Sequence, residues 1–253
     1  MSRLCGFSAP PAYRDEKLPR DALHGEIASR YYIADTDLTI AGMAFRILRV
    51  SDTNALLETI DPETFALDER LPYWAELWAS AIVLAEWCIQ SGAVCKKDVL
   101  EIGCGLGLPG IAAARAGARV VMTDYEEDAL RFARYNALVN VPETMPMFNI
   151  MDWRTPDRVG QFDFLLGSDI IYEQRNFLPL LDAFSRLLLP WGTVVLTDPD
   201  RGISTTFLDL ARKRGYSILS SRCSLVYADR PMSVTRYELR TPSAVVSRTG
   251  KRS

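Results

Sequence analysis

Between Val99 and Gly110 the chain reads VLEIGCGLGLPG, with glycines at Gly103, Gly105, Gly107 and Gly110. Glycines this dense suit a backbone that must approach a ligand closely, and Gly105, Gly107 and Gly110 satisfy the G-x-G-x-x-G spacing of dinucleotide-binding loops. That spacing alone is a weak signal. Glu101 bears on the choice of ligand, because a carboxylate repels a pyrophosphate but attracts a ligand carrying an ammonium and a sulfonium. The acid therefore favours S-adenosylmethionine over a dinucleotide; a structural acid capping nearby N–H groups is the alternative. Pro109 suits a first helical turn, so the loop runs into a helix whose free N–H groups face the ligand.

Three further positions extend the pattern. Asp124 follows the loop by about twenty residues and ends an apolar run, where an acid accepts the hydroxyl protons of a ribose; this fits both cofactors. Asp152 and Trp153 end the next run and could place a carboxylate on an adenine amino group and an indole against its ring. Simple core packing of Trp153 is the competing account. In GSDIIYE, Ser168, Asp169 and Tyr172 end a fourth run, at the edge where open α/β sheets bind ligands and where a reacting centre belongs.

The elements that must hold these residues follow from the alternation around them. DVLEIG, RVVMTDY, MPMFNIMDW, FDFLLGSDIIY and GTVVLTD read as strands, with helical patterns between and after them. That order predicts a parallel sheet covered on both faces. SILSSRCSLVYA and SVTRYELR follow each other with only a turn around ADRP between them, which predicts an antiparallel pair at the sheet edge. The whole is a Rossmann-like, doubly wound, seven-stranded α/β plan. Upstream, TIAGMAFRILRV and ALLETI predict a small N-terminal β appendage of two or three strands. Trp74, Leu77, Trp78, Ala81, Ala85, Cys88 and Ile89 step by threes and fours, the pattern of one helix face ending at Gly92. Leu178, Leu181, Ala183, Leu187 and Leu188 read as a buried helix stripe, and Arg131, Arg134, Arg212, Lys213 and Arg214 as solvated helix faces.

E-x-G-x-G-x-G in EIGCGLG, the Asp124 and Asp152-Trp153 positions, and D-x-x-Y in DIIY together resemble class I methyltransferases. ELWASAIVLAEW and the same motifs resemble, more narrowly, the seven-β-strand protein lysine methyltransferases of the methyltransferase-16 family. The resemblance covers about 70 to 240. It implies S-adenosylmethionine as cofactor, with Trp78 near it. Amide and nucleobase amino methyltransferases carry Asn/Asp-Pro-Pro-Tyr where this chain has DIIY, which ranks a protein amino group above a nucleobase.

With the methyl already activated on sulfur, the protein need supply only alignment, a dry channel and a neutral amine. Deprotonating a lysine at pH 7 takes roughly 4.6 kcal/mol. Burial and the nearby sulfonium push that way, while a carboxylate at Asp169 pulls against it. Asp169 is therefore expected to bind and orient the incoming lysine, and Tyr172 to line its channel. Three other functions use overlapping residues. One is a methyltransferase acting on a small amine or metabolite; another is a non-catalytic cofactor-binding module. The third is an NAD-linked oxidoreductase, whose Tyr-x-x-x-Lys pair occurs here only as Tyr13 and Lys17, ahead of the glycine loop.

At 253 residues and net charge -3 the chain suits one α/β domain with an appendage, and the acidic balance argues against a nucleic-acid surface. Residues 1–70 read as extension and appendage, 71–240 as the catalytic domain, and 241–253 as a basic tail expected to be disordered. No run approaches the roughly 20 apolar residues of a membrane span. An odd set of five cysteines without a CxxC pair predicts reduced thiols and a cytoplasmic protein. One histidine, His24, leaves little from which to build a metal site, so none is expected. The substrate's identity and the oligomeric state are not written in these motifs.

Overall fold

A computed structural model describes residues 17–53, 56, 71–156 and 160–241. ALLETI, apart from Leu56, and the tail beyond Thr241 lie outside the described residues. Five strands run parallel: β3 (Asp98–Ile102), β4 (Arg119–Asp124), β5 (Met147–Ile150), β6 (Phe162–Ser168) and β7 (Leu188–Asp198). With β8 (Ser217–Tyr227) and β9 (Arg230–Arg240) they form one seven-stranded sheet, in the order β5-β4-β3-β6-β7-β9-β8. β9 pairs antiparallel with both β7 and β8, so β8 is the sheet edge. Ala228 and Asp229, at φ +49° and +57°, turn the hairpin. Both lie in the left-handed region that a tight hairpin turn demands.

The central strands bury both faces, with Leu100, Ile102, Val121, Leu165 and Val194 among the core, as expected for a parallel sheet under helices. On its two sides lie α2 (Ala79–Gln90), α3 (Leu108–Arg115) and α4 (Glu127–Asn140), and α5 (Phe177–Leu187) and α6 (Ser204–Lys213). No described helix is long and apolar enough to cross a membrane.

Among the described residues the appendage comprises α1 (Arg20–Arg30) and an antiparallel pair, β1 (Ile33–Ile40) and β2 (Met43–Val50). It is fastened by α4. The buried Asn136 accepts the Leu48 N–H at 2.7 Å and donates to the carbonyls of Leu48 and Leu106, at 3.1 and 3.0 Å. One amide thus ties the appendage to the glycine loop. At the other end Asp128 accepts both Arg30 nitrogens and the Tyr31 hydroxyl.

Several local expectations need correction. The Trp74–Trp78 segment is not part of a helix: Tyr73–Ala75 is a 3-10 turn and Glu76 and Trp78 are extended, so α2 begins at Ala79. Aromatic packing explains why the apolar spacing misleads there. Trp74 packs on Phe132 of α4 and on Tyr31, while the Trp78 indole N–H donates to the Tyr73 carbonyl at 2.9 Å, which folds the segment onto itself. Leu178 is half exposed and Leu188 starts β7; the inner face of α5 is Phe177, Leu180, Leu181, Phe184 and Leu187. Arg134 is buried rather than solvated and donates to the Leu18 carbonyl at 2.7 Å. The third parallel strand ends at Ile150, two residues before Asp152.

Candidate active site

Each parallel strand ends at the same edge, and the chain crosses to opposite faces on leaving β3 and β6, the adjacent pair at the middle of the sheet. A crevice at this switch point is where open α/β sheets bind ligands. Here it spans about 1200 Å³, including space open to solvent. Trp78, Gly103, Gly105, Gly107, Asp124, Trp153, Ser168, Asp169 and Tyr172 all line it. Two sequence candidates do not, Glu101 and Asp152.

The floor is the loop after β3. Gly103, Gly105 and Gly107 take φ of +63°, +51° and +81°, values that glycine adopts without strain. A side chain at Gly103 would meet Trp153 and Ile170 at 3.1 Å, and one at Gly105 the Trp74 carbonyl at 3.3 Å, so the cradle is already closed around bare backbone. Asp124 is buried beside it. Its Oδ2 accepts the Gly105 N–H at 2.9 Å and its Oδ1 the Glu126 N–H at 3.0 Å. Burial raises its carboxyl to about 6 against these backbone donors.

Glu101 lies beneath the loop, fully buried, where Oε2 accepts the Gly110 N–H at 2.9 Å and Oε1 has no partner among the described residues. Gly110 must be glycine for this contact, since a Cβ there would stand 2.5 Å from Oε2. Its place is that of an acid capping an N–H in the first turn of α3, away from the crevice. Burial, opposed by the Gly110 N–H and assisted by Asp124, raises its carboxyl from 4.5 to about 8. Because the folded-state value lies above the ordinary one, its contribution to stability is complete below about pH 4.5 and is lost as pH rises through about 8. Glu101→Gln is therefore expected to melt above the native chain at pH values beyond 8, the two curves converging toward pH 5. Melting curves that stay parallel across this range would show that Glu101 carries its charge in the folded state.

Asp152 stands on an adjoining cavity of about 410 Å³ that shares Tyr73, Trp153 and Tyr172 with the larger one. Arg154 holds its carboxylate, with Nη2 at 2.6 Å from Oδ2 and Nε within 3.0 Å of both oxygens. Trp153 is buried against Tyr125. Tyr172 packs edge-on against Tyr73, which does the same to Trp78, giving the crevice an aromatic wall. Burial and the neighbouring Glu173 raise the Tyr172 phenol well above its ordinary value, so it stays protonated.

Asp169 follows β6 at φ +55°, its N–H donating to the Thr197 carbonyl at 2.8 Å. The sequence reading missed its partner: Arg201 Nε and Nη2 reach Oδ1 and Oδ2, each at 3.0 Å. Arg201 follows β7, the next strand along, and DPDRG ends that strand at the same edge. Strand-end reasoning carried one strand further reaches it. Among the described residues lining the crevice, Glu76, Asp124, Asp169 and Glu173 face a single cation, Arg201.

A family model described as lysine methyltransferase matches residues 72–214, more than half the chain. The chain belongs to that lysine methyltransferase family. Membership decides between the two cofactors that the glycine spacing admits, in favour of S-adenosylmethionine. Protein N-lysine methyltransferase METTL21A of Xenopus tropicalis is 33% identical over 134 residues, 51% of this chain and 62% of that protein. Histone-arginine methyltransferase METTL23 of Xenopus laevis is 33% identical over 118 residues, 43% of this chain and 49% of that protein. The matches thus span about half to three fifths of these relatives' length. Magnesium protoporphyrin IX methyltransferase of Synechocystis PCC 6803, solved with bound SAM, shares the fold at a TM-score of 0.53 and 16% identity, covering 76% of this chain and 98% of that one. In this family member the closed glycine cradle, the buried Asp124 at the crevice, held by the Gly105 and Glu126 N–H groups, and the excess of carboxylates all fit a ligand with a ribose and two positive charges.

Proposed function

We propose that the chain transfers a methyl group from S-adenosylmethionine to the side-chain amine of a lysine in a protein. The observation that carries this reading is the charge of the crevice, four carboxylates against one guanidinium, lined on one side by Trp78, Tyr73 and Tyr172. Such a wall favours a cationic ligand and a slender aliphatic chain. Gly103, Gly105 and Gly107 would hold the cofactor through the backbone, Asp124 through its ribose hydroxyls, and Trp78, Trp153 and Ser168 by lining its bed. Asp152, kept by Arg154, would act on the adenine end only from the adjoining cavity. Bound in the crevice, S-adenosylmethionine would supply an activated methyl on its sulfonium to the lone pair of the acceptor nitrogen, which gives up one proton, leaving the neutral thioether.

The remaining work falls to the chain's own residues. Tyr172 walls the channel and, being protonated, offers a hydrogen bond without charge. Asp169 accepts an N–H of the amine and fixes its direction. The aromatic wall excludes water, which keeps the amine in its neutral form.

Incubation of the purified protein with methyl-labelled S-adenosylmethionine and a cell lysate tests this reading, with labelled bands hydrolysed to amino acids. Methyl-lysine is the expected product. Methyl-arginine or methyl-histidine would move the acceptor to another side chain, and label confined to small molecules would overturn the protein substrate altogether.

A further inference from the structure

Asp169 does not meet an incoming amine as a bare carboxylate. Its side chain is 6% exposed, and the Arg201 guanidinium, 40% exposed, spans both its oxygens. Such a two-pronged pair fixes the carboxylate plane as well as its charge.

The backbone that carries the guanidinium is itself held in place. Asp198, buried at the end of β7, accepts the Arg201 N–H at 2.8 Å and the Ser204 hydroxyl at 2.6 Å. Asp200, at φ +58°, accepts the hydroxyls of Thr235 and Ser233 and pairs with Arg222 at 2.9 Å, which ties the loop to the β8–β9 hairpin. Arg201 is thus anchored on both sides by residues with no other evident task. The titratable groups around the pair are Asp198 and Asp200 on its own loop, Tyr73 on the 3-10 turn, Tyr172 and Glu173 after β6, and Asp124 after β4. Apart from Arg222, which is paired with Asp200, these are acids or phenols, and among the described residues Arg201 is the cation bonded to Asp169.

A methyl acceptor must present an unprotonated nitrogen, and an uncompensated carboxylate stabilises the protonated form. A carboxylate whose charge is cancelled still has lone pairs outside the guanidinium fork to receive an N–H. We propose that Arg201 is a positioning residue for methyl transfer: it locks Asp169 and cancels its charge, so that the pair orients a neutral amine without holding it as an ammonium. The proposal rests on the crevice being the transfer site.

The test compares S-adenosylmethionine with S-adenosylhomocysteine, which differ by a methyl and the positive charge on sulfur, by calorimetry without any acceptor. At protein-like effective dielectric, removing the Arg201 charge is expected to raise the preference for the charged ligand by about fivefold or more. Arg201→Gln should therefore shift the ratio of the two affinities toward S-adenosylmethionine, Asp169→Asn should shift it the other way, and the double variant and Arg201→Lys should stay near the native ratio. A merely structural role does not produce opposite signs that cancel. If Arg201→Gln does not fold, Asp169→Asn and Arg201→Lys still carry the comparison. A ratio unchanged within about twofold across the variants would place the pair away from the reacting sulfur and overturn the proposal, whatever the acceptor. Failure of the native chain to bind either ligand would instead overturn the reading of the crevice, and the proposal with it. In turnover on the labelled lysate, the Arg201→Gln defect should shrink between about pH 7 and pH 9.5, as bulk solvent supplies a growing fraction of neutral amine; a defect constant across that range contradicts the role.

Discussion

Asp169→Ala is expected to lower methyl transfer by about 10²- to 10³-fold, the scale seen when one preorganised polar group is removed from a reacting centre. Affinity for S-adenosylhomocysteine should be unchanged, because the cradle and Asp124 are untouched. The variant loses the acceptor that directs the amine, and it leaves the Arg201 guanidinium with its charge uncancelled in the crevice. Single-turnover transfer on the labelled lysate, set beside calorimetry with S-adenosylhomocysteine, separates the two effects. Equal loss of both would make Asp169 a cofactor-binding or folding residue instead.

The second large effect lies in the loop. At Gly107, φ is +81° and a Cβ would stand 2.9 Å from the Ala133 Cβ and 3.2 Å from its Cα, on the rigid backbone side of α4. Gly107 also precedes the first turn of α3, where its carbonyl accepts the Ile111 N–H. Gly107→Val adds a β-branched side chain at a left-handed backbone position and forces α3 and α4 apart. Strain and overpacking together are expected to cost about 3–5 kcal/mol. For a chain of this size that lowers the melting temperature by roughly 10 °C, and the displaced loop should no longer bind cofactor. A variant that melts like the native chain would mean that the loop accommodates side chains, and that close approach of bare backbone is not its purpose.

The sheet was legible because its signals are local. Apolar runs alternate with helical patterns, and two runs without a helix between them can only pair antiparallel, as β8 and β9 do. Asp124 and Asp169 were legible for a related reason, since in a parallel sheet a residue ending a strand is placed at the binding edge wherever the strand sits. The companions of these acids were not. Arg201 is 32 residues from Asp169 in sequence, and their pairing depends on β6 and β7 being neighbours. Nothing local to DIIY reveals it. The companion of Asp152 was missed at shorter range: an arginine two residues on, in a turn, holds the carboxylate. Periodicity failed where aromatic packing outweighed helix formation, at Trp74 and Trp78, and at Arg134, a charged side chain of α4 that is buried with the distant Leu18 carbonyl as an acceptor. The fully buried place of Glu101 under the loop follows from Gly110 folding back over it, and no spacing of glycines distinguishes that from a place on the crevice wall.

The central claim is that the crevice at the ends of β3, β4 and β6 is an S-adenosylmethionine site organised around Asp124. Titration of the native chain and of Asp124→Asn with S-adenosylmethionine, and separately with NAD, tests it most directly. The native chain should bind S-adenosylmethionine saturably and NAD not at all. Loss of a charged acceptor of two hydroxyls should weaken binding in the variant by about tenfold or more. Equal affinity of native chain and variant, or saturable binding of NAD in its place, would contradict the account.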